Sequence, residues 1–561
     1  MRGWWKRIQS GAVDTTPPLR LDELALDRHD WTYVVDVAVV GFGGAGVAAA
    51  LEARAQGARV AAVERFSGGG STAISGGIVY AGGGTSVQAD AGVEDSSENM
   101  FNYLIQETGD AVCEDTLRQF CEDSAGNLEW LRELGVPFEA SLCPFKTSYP
   151  SNEYYYYYSG NESFPPYSDK ARPAPRGHRA HGRGVSGAAL FEPLRRAALA
   201  GGVSILSQHR ARGLITNADG AVLGVQLSRM PAGSLAAWLH RQLYALLIFC
   251  RYLTIYLAPV MWLLRWALES LEAAHAETAS LRAHRGVIIS TGGFFFNQDM
   301  LRQYAPEHLP GIPLGTIADD GSGILLGQSV GASTGMMHNV SQWRFINPPE
   351  SYVRGILIDS EGNRICNEML YGAQLSEQIM RRAGGQAWLL IDASLADQTL
   401  REIGPNRAMW FQSAAALMFL FMARRKASTL LQLAAKLHMP VENLQRTVND
   451  YNALSEKGAE DPFGKPAEHR AVLQQGPWYA LDCRVDGAVR NPSITLGGLR
   501  VDEKTGQVLA DKGGVIKGLY AAGRSAVGIA SHSYVSGLSI AGCIFSGRRA
   551  GHHAGGQQKQ A

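Results

Sequence analysis

The chain lacks the features that mark several protein classes. Its 561 residues hold only seven cysteines (Cys113, Cys121, Cys143, Cys250, Cys366, Cys483 and Cys543), an odd and dispersed set without a C-x-x-C pair. That argues against a disulfide framework and against a cysteine-rich metal or iron–sulfur site, and no metal is expected. Neither sign of charge is in excess, with 52 Lys and Arg against 52 Asp and Glu, so no broad basic surface recruits nucleic acid. Charged residues are 19% and hydrophobic ones 46%, too little charge for disorder and enough apolar material for large cores. Behind Met1-Arg-Gly-Trp-Trp-Lys-Arg7 there is no apolar segment of the signal-peptide kind, and a reduced, intracellular protein is expected. Glycine, by contrast, is plentiful: 64 residues without a collagen period, placed where a backbone turns tightly or approaches a ligand.

Residues 33–40, Tyr-Val-Val-Asp-Val-Ala-Val-Val, form the β-branched run of a strand buried on both faces. Gly41-Phe-Gly43-Gly44-Ala45-Gly46 follows at once, then an Ala-rich helical pattern from Val47 to Gln56 and a second strand ending in Glu64. Strand, G-x-G-x-x-G, helix, strand and acid within about 30 residues is the full dinucleotide-binding context. Gly41 permits the turn, Gly43 lets the backbone reach a pyrophosphate, Gly46 lets the helix pack on the strand, and Glu64 is placed for a ribose diol. Two more glycine runs, 67–77 and 81–85, follow immediately. A bound flavin needs such runs, because amides must approach its phosphates, ribityl chain and ring edge. The expected cofactor contacts are Gly41, Gly43, Gly44, Ala45, Gly46, Glu64, Arg65, Ser71, Thr72, Ser75, Gly76, Gly77, Thr291, Gly292, Gly523 and Ser539.

Gly286–Gly293 and Gly518–Arg524 are further strand-and-turn patterns of the same domain, which places the middle of the chain in an insertion. The expected fold is α/β: a Rossmann-like nucleotide domain in two parts (30–347 and 479–555), an inserted α+β capping domain (348–478) and an apolar helical insert (231–283). The capping segment opens with strand-like Gly355–Asp359 and continues with helical patterns at 395–402, 408–438 and 441–455.

Four further segments carry a family likeness: Lys146-Thr-Ser-Tyr-Pro150 with Tyr157–Glu162, Pro348-Pro349 through Asn367-Glu368, Thr495-Leu-Gly-Gly498, and Ser533-Tyr-Val-Ser-Gly537 with Gly547–Gly551. With the glycine fingerprint they resemble the flavoproteins of the fumarate reductase and 3-ketosteroid dehydrogenase family, most closely its bacterial Δ4-(5α) branch. The resemblance implies non-covalent FAD, because covalent members carry a His near the first glycine run and residues 67–77 hold none. Fumarate reductases have a His-Thr-x-Gly-Gly element for a substrate carboxylate; here it reads Ile494-Thr-Leu-Gly-Gly498, which disfavours a dicarboxylate. Tyr534-Val-Ser536-Gly537, in place of the Tyr-Pro-Gly of Δ1 enzymes, favours the Δ4 reaction.

Making a C=C bond beside a ketone takes a base for the α-proton, a donor for the enolate oxygen and a hydride acceptor. By resemblance, Tyr534, Ser536 and the amide of Gly537 serve proton and ketone, and Tyr371 is the second hydroxyl, with Tyr352 in reserve; which takes which task stays open. Two or three of Tyr154–Tyr158 are expected to line a steroid pocket. The cluster of His178, His181 and Arg172, Arg176, Arg179 and Arg183 is expected in a solvated loop or beside the pyrophosphate, and His532 is placed either to tune Tyr534 or as a simple loop residue.

Residues 234–268 are unusually apolar, yet Arg241, Arg251 and Arg265 leave charge-free stretches of only 9 and 13 residues, short of the ~18–20 of a span. On one helical wheel these arginines and Glu269 share an arc of about 120°. That predicts an interfacial helix or helix pair whose arginines reach lipid phosphates, with buried core helices or an oligomer interface as the alternative. Ala408–Ala423 is expected to join it in one membrane-facing surface around a substrate entrance. The implied reading is FAD-dependent desaturation of a 3-ketosteroid at C4–C5 by an enzyme on the cytoplasmic side of a membrane, with an external electron acceptor such as a quinone; oligomerisation stays open. The rivals are Δ1-dehydrogenation and a membrane-bound electron-transfer flavoprotein without steroid chemistry.

Overall fold

A nine-stranded sheet carries the nucleotide-binding part of the chain. The structure, a computed structural model, describes residues 15–250, 258–404 and 407–559. Its nucleotide-binding unit is β1 (Tyr33–Val40), α1 (Gly44–Ala55) and β2 (Val60–Glu64), a parallel βαβ unit with Val37–Val40 opposite Val60–Val63. β3 (Ser204–Ser207) extends it beyond β2, while β4 (His209–Asn217) and β5 (Val222–Arg229) form an antiparallel pair on the far side.

Between β5 and its neighbour the chain makes an excursion, α2 (Leu235–Phe249) and α3 (Ala258–His275), before β6 (Glu277–Ile289). β6 bulges between Ala283 and Gly286 and changes partner there. Its first half runs antiparallel to β5, and its second half runs parallel to β11 (Val515–Ala521). That change of partner lets the C-terminal segment enter the sheet, followed by α6 (Leu538–Gly556) packed on α1. Val37, Val39, Ala48, Ala49, Ile288 and Ile544 lie at the centre of this core.

The capping part has its own core around a four-stranded antiparallel sheet, β7 (Ile356–Asp359), β8 (Ala387–Ile391), β10 (Trp478–Asp482) and β9 (Arg424–Ala427) in spatial order β7-β8-β10-β9. α4 (Gly372–Ala383) and α5 (Trp410–Phe421) belong to this part. The helical pattern expected over 408–438 is therefore broken: Arg424–Ala427 extends along the free edge of β10, and pairing overrides local helical preference. β10 also runs to Asp482, past the boundary expected at 478.

The apolar insert is two helices, so a single wheel does not describe it. Its neck is closed by Arg229 opposite Glu277, and residues 277–283 belong to β6. Tyr244, Leu247, Met261, Trp262 and Leu268 pack inward on Phe66, Phe296 and Ile317. Arg265, expected to reach lipid, is buried instead, donating to the Phe296 carbonyl and to Glu269, each at 2.8 Å. Arg251 lies outside the described residues. The outer face keeps Leu235, Trp238, Leu246 and Phe249 in solvent, Phe249 at 83% exposure. Among the described residues no helix is long and apolar enough to cross a membrane.

Candidate active site between the nucleotide domain and the cap

One cavity of about 1030 Å³ runs from the β1–α1 turn to the cap. Every expected cofactor residue lines it except Gly46 and Gly77, which stand behind its wall. A Cβ on Gly46 would meet the Gly41 carbonyl and one on Gly77 the Ser186 backbone, so both are glycines for packing. Gly43 differs. The nearest atoms that a Cβ placed there would meet are the Gly69 carbonyl oxygen at 3.7 Å and Thr72 Oγ1 at 4.0 Å, so among the described residues the packing leaves that space open to a bound group. Glu64 is buried and accepts from the Phe42 amide at 3.0 Å and the Phe66 amide at 2.9 Å. Burial raises its carboxyl above the usual carboxylate range. Gly44 donates to Thr72 Oγ1 at 3.1 Å, tying the first glycine run to the helix N-terminus. Open space at Gly43, amides at the N-terminus of α1 and a carboxylate at the end of β2 fit pyrophosphate and ribose.

Two residues of this wall escaped the sequence reading. Asp319 accepts from Ser71 Oγ at 2.6 Å, from the Gly293 amide at 3.2 Å and from Arg524 Nη2 at 2.7 Å. Arg524 Nη1 is buried in the cavity wall without a partner among the described residues. Arg524 directly follows the flagged Gly523, a signal that was present; Asp319 had none.

All four expected catalytic groups, Tyr371, Tyr534, Ser536 and Gly537, line the same cavity. Gly537 stands before α6 with φ of 92°, in the left-handed region, and a Cβ there would meet the Tyr80 amide at 2.7 Å. That turn delivers Tyr534 and Ser536 to the cavity. Tyr371, at the start of α4, accepts from the Trp343 indole at 2.9 Å, and the Ser536 hydroxyl meets the Tyr157 hydroxyl at 3.2 Å. Tyr534 sits edge-on to Trp343, with ring centroids 5.0 Å apart. Burial pushes the Tyr534 phenol up to about 12, while the nearby Arg524 charge and the Gly537 amide hold it down. Burial raises Tyr371 much further. Tyr534 is the more readily ionised phenol of the two.

The apolar side is built by Trp343, Phe345, Phe411, Met418 and Ile494. None of Tyr154–Tyr158 lines the cavity, contrary to expectation; Tyr149 does, its hydroxyl donating to the Gly76 carbonyl at 3.0 Å. Tyr352 donates to the Ala416 carbonyl at 2.7 Å and drops out as a reserve. The basic cluster divides: Arg172, His181 and Arg183 are exposed, as a solvated loop requires, while Arg176, His178 and Arg179 are buried and structural. Arg176 pairs with buried Asp95 at 2.8 Å, Arg179 donates to the carbonyls of Pro150, Ser151 and Gly184, and burial pushes His178 down to about 4. His532 faces Asp110 at the surface, 3.9 Å away.

Residues 36–539 match the model of the FAD binding domain family. The chain is 37% identical to the 3-oxo-5-alpha-steroid 4-dehydrogenase of Comamonas testosteroni, over 90% of this chain and 95% of that protein. It is 25% identical to the 3-oxosteroid 1-dehydrogenase of Mycolicibacterium smegmatis, over 89% of this chain and 93% of that one. Among solved structures it superimposes on the 3-ketosteroid-Δ4-(5α)-dehydrogenase of Rhodococcus jostii, in complex with 4-androstene-3,17-dione, with a TM-score of 0.79. That pair is 31% identical over 97% of this chain and 100% of the other. The glycine finger, the buried Glu64 carboxylate and the phenols of Tyr371 and Tyr534 thus stand in a chain that belongs to the FAD binding domain family and is an FAD-dependent oxidoreductase.

Proposed function

We propose that the chain dehydrogenates a 3-ketosteroid between C4 and C5. The observation that carries this is one cavity holding the FAD-side glycines together with Tyr371, Tyr534 and Ser536, opposite an apolar wall of Trp343, Phe345, Phe411, Met418 and Ile494. The Comamonas relative's name and the steroid bound in the Rhodococcus structure support the substrate class. When bound, FAD, held without a covalent tether, supplies the acceptor for the hydride leaving C5. Tyr534, with Arg524 favouring its ionised form, takes the C4 proton. Tyr371 and the Gly537 amide hold the keto oxygen as negative charge develops there, and the Tyr157 hydroxyl positions that of Ser536. Ile494, apolar where a dicarboxylate binder needs a cation or histidine, supports a steroid over a diacid.

Anaerobic addition of a saturated 3-ketosteroid should bleach the bound FAD and release the 4-ene. A 1-ene as first product assigns the Δ1 reaction instead, and no bleaching with a broad steroid panel leaves the electron-transfer reading. We further propose docking on the cytoplasmic membrane surface, where a water-poor substrate is taken up and an external acceptor such as a quinone is at hand. Support comes from the apolar outer faces of α2 and α5, with Trp410 60% and Phe421 55% exposed.

A further inference from the structure

The insert has an inner face that membrane docking does not require. Tyr244 of α2 and Trp262 of α3 line the cavity alongside Glu64, the ribose carboxylate, and Arg210 and Ala211 of β4. The Tyr244 ring lies flat on Phe66, centroids 4.0 Å apart and planes 1° from parallel, and both are buried. Arg65, next to Glu64, donates to Glu272 of α3 through Nε at 2.8 Å and Nη2 at 3.0 Å, and to Asp320 at 3.2 Å. Arg210 reaches the same Glu272 at 3.1 Å, and His240 of α2 meets it at 3.1 Å. The two arginines hold the Glu272 carboxyl well below the usual carboxylate range despite its burial. Arg65, expected to contact the cofactor, is thus committed to the insert. A helix pair that merely lay on lipid would not bury a carboxylate, a histidine and Arg265 on its protein side.

We propose that the helices α2 and α3 are the lid of the adenosine half of the cofactor site. Tyr244 and Trp262 offer an aromatic wall to a purine at the end of β2, where a dinucleotide fold places its adenosine. Glu272 is a positioning residue that bolts the lid to Arg65 beside the ribose carboxylate. The inference rests on the FAD assignment and is independent of the steroid reading.

The test is the rate of FAD release from purified holoenzyme on dilution, followed by flavin fluorescence, with no steroid present. Tyr244→Leu and Glu272→Gln should each release FAD at least tenfold faster, a loss of about 1.4 kcal/mol or more. Tyr244→Phe, which keeps the ring, and Trp238→Ser, on the outer face of the same helix, should release it at the wild-type rate. If Tyr244→Leu cannot be purified with flavin, Glu272→Gln and Tyr244→Phe still decide. Wild-type release from Glu272→Gln, or equal acceleration by Trp238→Ser, overturns the proposal.

Discussion

Two opposing effects set the reactivity of Tyr534. Burial removes the water that would solvate a phenolate, and the Arg524 guanidinium with the Gly537 amide restores part of that stabilisation, leaving the phenol at about 12. Below that value each added pH unit multiplies the ionised fraction about tenfold, so kcat/KM should rise through the alkaline range with unit logarithmic slope. A flat or falling alkaline profile would remove Tyr534 as the base. Tyr534→Phe should keep the FAD spectrum and lose about 10²–10⁴-fold in turnover, measured with the steroid that bleaches the wild type. Tyr534, Ser536 and Gly537 were readable because they fall within four residues and share one turn. Asp319 was not, since its partners Ser71 and Arg524 are 248 and 205 residues away.

α5 shows how one element serves three surroundings. Phe411, Gln412, Ala415, Met418 and Phe419 line the cavity; Ala416 and Leu420 are buried away from it; Trp410, Ala414, Leu417 and Phe421 face out. These are three stripes at helical spacing, all mainly apolar, and periodicity alone cannot tell cavity from core from lipid. The outer stripe of α2 is tested with vesicles: Trp238→Ser with Phe249→Ser should lower partitioning at least tenfold, since each buried large apolar side chain contributes about 1.5–3 kcal/mol. Unchanged partitioning would place the docking surface elsewhere. Within the cap, Glu368 accepts from the Leu357 amide at 2.9 Å, from Arg364 at 2.8 and 3.0 Å and from Lys465 at 3.0 Å, all fully or nearly buried. The Asn367-Glu368 pair that marked the family likeness thus holds the cap together. Lys465→Met should destabilise the cap by about 3 kcal/mol, seen as a separate early calorimetric transition, because it strips a cation from a buried carboxylate.

At the scale of the molecule, a polar seam joins nucleotide domain and cap behind the phenols. Glu107 accepts from Tyr103 at 2.7 Å, from Asn161 at 2.8 Å and from Gln374 of α4 at 3.0 Å. Gln374 also donates to Ser533 at 2.8 Å, and Asn161 accepts from the Tyr371 amide at 2.7 Å. Burial outweighs the three donors and pushes the Glu107 carboxyl up to about 7. The folded protein therefore keeps a proton that the unfolded chain loses above about pH 4.5, and stability falls as pH rises from there to about 7, by roughly 3 kcal/mol at most. Glu107→Gln should remove that slope from a plot of Tm against pH; an unaltered slope would show that another group titrates.

What the linear order of residues settled was what a few consecutive side chains and backbone dihedrals can specify. The glycine finger, the acid at the end of β2, the phenol–hydroxyl–glycine turn and the absence of a long charge-free run are all of that kind. What only the tertiary structure decided was which face of each apolar helix is buried and which distant carboxylate meets which arginine. The pair of helices α2 and α3 is the sharpest case. Its apolar composition suits lipid and protein equally, and the packing of Tyr244 on Phe66 and of Glu272 on Arg65 shows which side turns inward. Burial is a property of the partner surface as well as of the segment, and here that partner lies about 200 residues earlier in the chain.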